Sequence, residues 1–173
     1  HATLADRALL WLARAQLAVA DPAQAQPFAQ SLVTVIANLS QAAEKANQLA
    51  AQDADAKSRR AEILLDLVDA QQLAKQYPQA AATYDTAFKE NHAPERNEEF
   101  LQRRAVALHA AAQFDPSDQV CVQFQQTYPK STLLAAVLFR YAENAYFRAA
   151  AIEPSNPASK NPELIRWLNE TLQ

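Results

Sequence analysis

Apolar side chains recur every three or four positions through nearly the whole chain of 173 residues, and no stretch alternates with period two for long enough to suggest a strand. Residues 61–88, AEILLDLVDAQQLAKQYPQAAATYDTAF, show the pattern at its clearest. Alanine and bulky apolar residues follow a helical rhythm, break at Tyr77-Pro78 and resume. Proline supplies the punctuation elsewhere too. Asp21-Pro22, Asp115-Pro116 and Asn161-Pro162 each put a capping side chain before a proline suited to a first helical turn, and Ala93-Pro94 marks another start. The pattern predicts helices over about 3–20, 23–52, 58–75, 78–91, 95–112, 116–127, 132–151 and 162–172. Short connections make successive helices antiparallel hairpins, at about 3–52, 61–94, 98–129 and 132–151. The expected fold class is all-α, in one domain over 1–173.

The second predicted helix is unusually long. Along 23–52, Phe28, Leu32, Val35, Leu39, Ala42, Ala46 and Leu49 follow a coiled-coil spacing, which offers either a packing face within the chain or a seam for self-association as a homo-oligomer.

Numbering Ala61 as position 1 places small or apolar residues at 4 (Leu64), 7 (Leu67), 8 (Val68), 10 (Ala70), 17 (Tyr77), 20 (Ala80), 24 (Tyr84) and 27 (Ala87). Position 8 recurs at Ala105 and Ala142, each 37 residues after the last. The second unit supplies Leu101, Ala107, Phe114, Ser117, Cys121 and Phe124 at the matching places. An earlier unit fits with Leu12, Ala13 and Ala25 at 7, 8 and 20. This pattern resembles the tetratricopeptide repeat, over most of residues 4 to 150. The resemblance implies a right-handed solenoid of antiparallel helix hairpins, three to four units followed by a C-terminal helix. It departs at two places: Lys75 and Ala112 stand where glycine usually ends a first helix in a left-handed turn.

A second resemblance rests on residues 124–147, FQQTYPKSTLLAAVLFRYAENAYF. The Tyr-Pro-x-Ser junction and the Ala-Glu-x-x-Tyr helix are similar to those of bacterial envelope repeat proteins, of the Tol-associated and outer-membrane-assembly lipoprotein type. The resemblance implies a periplasmic or cell-envelope address, the alternative being cytoplasmic.

Composition narrows the chemistry. A net charge of −3 gives no basic field for nucleic acid or anionic lipid, and Ala8 to Ala20 is too short and too interrupted to span a membrane. The chain has no glycine, which excludes the glycine-rich loops that cradle phosphate. A single cysteine, Cys121, cannot form an intramolecular disulfide, and at position 24 it faces the hairpin interior as an inert thiol. His1, His92 and His109 share no metal-ligand spacing with cysteine or carboxylates. No catalytic residue, metal or cofactor is expected, and the chain reads as a non-enzyme.

The resemblance points instead to binding, because first helices of stacked hairpins line a concave face through positions 2, 5, 6, 9, 12 and 13. Those positions hold Arg7, Leu10, Trp11, Arg14 and Leu17, then Glu62, Leu65, Asp69, Gln72 and Leu73. The series continues with Gln102, Arg103, Val106 and His109, then Phe139, Arg140, Glu143, Tyr146 and Phe147. Arg14, Gln72, Arg103, His109, Arg140, Glu143, Tyr146 and Phe147 are the expected contacts to a protein or peptide partner, since aromatic and arginine side chains dominate binding hot spots. The carboxylate clamp of chaperone-type members is not reproduced: its places hold Leu65, Asp69, Arg103, Ala136 and Arg140, of which only Arg140 agrees. The resulting expectation is a non-catalytic scaffold, in a bacterial envelope complex, that holds a partner segment in its groove.

Overall fold

The computed structural model describes residues 4–152 and Arg166. These residues form no strand and seven α-helices: α1 (Ala5–Val19), α2 (Ala25–Leu49), α3 (Ala54–Leu73), α4 (Tyr77–Glu90), α5 (Asn97–Ala110), α6 (Phe114–Thr127) and α7 (Leu134–Ile152). A 3-10 turn at Pro94–Arg96 precedes α5. The all-α class read from the periodicity is observed. The helix expected at 162–172 lies outside the described residues apart from Arg166. The chain divides into two compact units, His1–Asn97 and Glu98–Gln173.

Several helix starts differ from expectation for local reasons. Asp21-Pro22 does not open a helix. Asp21 Oδ1 accepts from the Ala23 N–H at 2.9 Å and its carbonyl accepts from the Gln24 N–H at 3.0 Å, making a turn that delays α2 to Ala25. At the other end α2 stops at Leu49, because Asp53 caps a new helix four residues earlier than the predicted 58, its side chain accepting from the Asp55 N–H at 3.0 Å. Asp115-Pro116 falls inside the first turn of α6 rather than before it, the N-cap being Gln113.

The ends of α3 and α5 repeat one device. Lys75 and Ala112 both take the left-handed conformation at φ 56°. The Gln76 N–H reaches the Gln71 carbonyl at 2.8 Å and the Lys75 N–H reaches Gln72 at 2.9 Å. Gln113 to Leu108 at 2.9 Å and Ala112 to His109 at 2.8 Å reproduce both bonds 37 residues later. The helices that follow, α4 and α6, begin and end 37 residues apart as well, at Tyr77 and Phe114 and at Glu90 and Thr127.

In the first unit α2 packs against α1 on one side and α3 on the other. Leu32, Val35, Leu39, Ala42 and Ala46 are buried there, so the coiled-coil seam is occupied within the unit. Asp6, fully buried on α1, accepts from Arg59 Nε at 2.8 Å, and Arg59 Nη2 donates to Asp53 at 2.6 Å. Those bonds hold the Asp53 carboxyl below its usual range and raise the Arg59 guanidinium, chiefly through the hydrogen bond the two share. Arg60 donates to the Ala43 carbonyl on α2 at 2.6 Å and, through Nε and Nη2, to both oxygens of Glu90 on α4. The α3–α4 hairpin closes over buried Val68, Ala80 and Tyr84, with Thr83 donating to Gln71 at 3.0 Å.

In the second unit Ser117 on α6 is fully buried and its Oγ donates to the Ala105 carbonyl on α5 at 2.8 Å. Phe100, Leu101, Cys121 and Phe124 form the core beside that contact. Ser131, in the Tyr-Pro-x-Ser junction, accepts from the Leu133 N–H at 3.1 Å and donates to Glu98, which fixes the approach of the chain to α7.

A left-handed residue with a Cβ carries a steric cost of about 1 kcal/mol. Lys75→Gly and Ala112→Gly should therefore each raise the unfolding free energy by roughly 0.5–1 kcal/mol in urea titrations, the gain being trimmed by the freedom glycine adds to the unfolded chain. A loss of that size at both sites would contradict the capping assignment.

Candidate interaction site

The second unit brings three of the expected contacts together. His109, near the end of α5, meets Phe147 on α7 edge-on with centroids 5.3 Å apart, and meets Phe114 at the start of α6 at 5.5 Å. Phe114 and Phe147 stack nearly parallel at 6.1 Å, and Tyr146 sets its edge on Phe147 at 5.5 Å. Such ring arrangements are favoured by the aromatic quadrupole beyond their area alone. Tyr146 is 59% exposed, and Phe139, two helical turns earlier on α7, is 63% exposed. Tyr146, Phe139 and part of Phe147 thus form one aromatic stripe open to solvent.

A polar chain fixes these rings from below. Asn144, fully buried, donates through Nδ2 to Asp118 Oδ1 at 2.7 Å. Its Oδ1 is therefore the acceptor for His109 Nδ1, also at 2.7 Å, which places the proton of the neutral imidazole on Nδ1. Arg148 closes the network onto Asp115 at 2.8 Å and onto Asp118. Burial pushes the Asp118 carboxyl above its usual range, against the pull of the hydrogen bonds from Asn144 and Arg148. Hydrogen bonds and ion pairs thus join His109, Asn144, Asp118 and Arg148 in one network beside Phe147.

The remaining expected contacts are otherwise engaged. Arg103 pairs with Glu99 one turn away at 2.9 Å, and Arg140 with Glu143 at 2.7 Å, both along their own helices. Arg14 and Gln72 lie in the first unit. Arg14 donates to Glu62 and Asp66, each at 2.6 Å, and its guanidinium lies 5.2 Å from the Trp11 ring centroid. The hydrogen bond to Asp66 is the main cause of its raised pKa. Gln72 donates to the Tyr84 hydroxyl at 2.9 Å. Leu10, expected on the binding face, is instead buried in the core.

Asn144, Phe114, Asp118 and Arg148 were not among the expected contacts. Asn144 carried a usable signal: it occupies position 10, where Ala15, Ala70 and Ala107 stand in the other repeats, and a polar side chain in a slot that is buried at Ala70 and Ala107 needs partners.

An apolar cleft of about 620 Å³ opens between α2 and the α3–α4 turn, lined by Phe28, Leu32, Val33 and Leu73 with Lys75 and Gln76. Among the described residues no group of three or more His, Cys, Asp or Glu side chains is placed to hold a metal ion. No helix among them is long and apolar enough to cross a membrane. The chain matches no protein-family model, no curated protein and no solved structure.

Cys121 is fully buried, and burial pushes its thiol up to about 12. In mildly alkaline buffer the folded protein should resist a thiol reagent that labels it fully in denaturant. The folded state keeps a proton that the unfolded chain releases, so stability should fall as pH rises from about 9 towards 12. Rapid labelling of the native protein would contradict this burial.

Proposed function

We propose that the protein is a non-catalytic interaction scaffold built as a tetratricopeptide-like, right-handed solenoid, and that it holds a peptide or helix of a partner protein against its first helices. The recurrence of the left-handed cap, the following helix and the buried small residue at an interval of 37 supports the repeat reading. Within each unit the helices also contact one another as stacked hairpins would. First helix meets first helix through Arg14 with Asp66 and through His109 with Asn144. Second helix meets the next first helix through Ala43 with Arg60 and through Asp118 with Arg148.

The observation that carries the binding reading is the aromatic stripe of Phe139, Tyr146 and Phe147, left open to solvent on side chains whose neighbours are fixed. Large, rigid aromatic area at low entropic cost is what interface hot spots supply. Arg103, Arg140 and Glu143 are paired along their helices, and in this reading they form the polar rim. Arg14 and Gln72 belong to the same face of the first unit. The Tyr-Pro-x-Ser junction is the basis for placing the complex in a bacterial envelope. Self-association through α2 is not carried forward, because five of its seven seam residues, Leu32, Val35, Leu39, Ala42 and Ala46, are buried within the first unit, where α2 packs against α1 and α3.

The test is selection of binders from a displayed peptide library. Peptides enriched on the parent protein should bind at least about tenfold more weakly to Tyr146→Ala with Phe147→Ala, with the helical circular dichroism spectrum unchanged. Equal binding by parent and variant would refute the aromatic stripe as the docking face.

A further inference from the structure

The apolar seam of α2 outruns its cover at the start of the helix. Phe28 continues the line of Leu32, Val35 and Leu39, yet it is only half-buried where those three are buried. Beside it Val33 is 64% exposed, and Leu73 at the end of α3 is 51% exposed. Large apolar side chains exposed singly need no explanation, but these line one concavity, the cleft of about 620 Å³ between α2 and the α3–α4 turn. Small apolar residues complete the wall, and Lys75 and Gln76 are the polar residues on it. In the repeat frame a preceding helix lies on α1 and a following one against α4, so this hollow within the unit is reserved for neither.

The turn itself does not call for a lysine. Ala112 forms the same left-handed cap with the same pair of main-chain bonds and no charge. At Lys75 those two bonds fix the backbone beside the cleft, and the ammonium has no hydrogen bond or ion pair among the described residues. Asp21, the carboxylate next in sequence to the wall residue Pro22, accepts instead from the Ala23 N–H and from Gln24 Nε2. We infer that the cleft is a binding site for a free long-chain aliphatic carboxylate, whose hydrocarbon lies along Phe28, Leu32, Val33 and Leu73 and whose head group meets Lys75. Its volume falls in the range of small-ligand pockets, which are mostly apolar with a few polar groups that fix orientation. An extended peptide is the poorer occupant, because its amides need partners along their length and Gln76 is the one amide side chain on the wall. A cationic amphiphile would meet a like charge in Lys75. This site lies in the first unit and does not depend on the aromatic stripe of α7.

The probes are sodium octanoate, decanoate and dodecanoate below their micellar concentrations, titrated calorimetrically into the full chain at neutral pH. Binding should saturate at one ligand per chain. A fully buried methylene tightens binding about fourfold, so each step of two carbons should tighten it at least about fivefold in a cleft open on one side. This series needs no variant. Ala29→Trp, which fills the cleft from an exposed position, should weaken dodecanoate at least about tenfold with the helical circular dichroism spectrum unchanged. Lys75→Gln should weaken it about threefold to fivefold, as for an exposed ion pair, and Lys75→Arg should restore it. No saturable heat, an affinity independent of chain length, or equal binding by Ala29→Trp overturns the inference. Dodecyltrimethylammonium binding as tightly as dodecanoate would mean that the head group is not read, and overturns it too. Binding to phosphatidylcholine–phosphatidylglycerol vesicles but not to dodecanoate would assign the cleft to a lipid surface. Concentration-dependent dimerisation abolished by Ala29→Trp would assign it to a second copy, and either result contradicts a free carboxylate as the occupant.

Discussion

Two helices can lie against each other along their length only where their backbones are allowed to come close. In the second unit that place is Ser117 on Ala105, where a buried hydroxyl reaches a main-chain carbonyl of the facing helix. In the first it is Ala80, fully buried in the hairpin that also buries Val68. The small residues set the spacing, and the bulkier ones beside them, Tyr84 in one hairpin and Phe124 in the other, fill what remains. Once the spacing is set, the turn between the helices has little freedom. A left-handed residue ends the first helix, two main-chain bonds lock the cap, and the second helix starts three residues after the first stops being regular.

That constraint carries through to the surface. Because the hairpins are rigid, the residues facing the next helix are decided by position, and each unit substitutes its own chemistry there. Alanine serves at position 10 in three repeats, as Ala15, Ala70 and Ala107, while Asn144 replaces it in the fourth and gathers His109, Asp118 and Arg148 around itself. The buried polar chain costs desolvation, which its hydrogen bonds and ion pairs offset. The network sets His109 edge-on against Phe147 and so supports the aromatic group proposed as the docking face.

Much of this was legible before any coordinates. Helical periodicity, proline punctuation and the 37-residue interval gave the seven described helices to within a few residues, and Lys75 and Ala112 were recognisable as left-handed positions although neither is glycine. What escaped was decided by pairings distant in sequence or by competing local bonds. The Asp21 side chain closes a turn where an N-cap was expected, and Asp53 opens α3 early while sharing Arg59 with a buried Asp6 more than forty residues away. Arg103 and Arg140 read equally as binding contacts or as salt-bridge partners of Glu99 and Glu143, and the geometry gives them the second role. The sole visible hint of the site's polar base was one asparagine in an alanine's place.

The most direct test of this account is the unfolding free energy of Ser117→Leu and Ala80→Leu, measured in urea against the parent. Both side chains would intrude where the helices meet most closely, and overpacking of this kind costs about 1–3 kcal/mol. The account predicts a loss of that size or more for each. Stability equal to the parent's in both variants would mean that the helices do not approach each other there, and would contradict it.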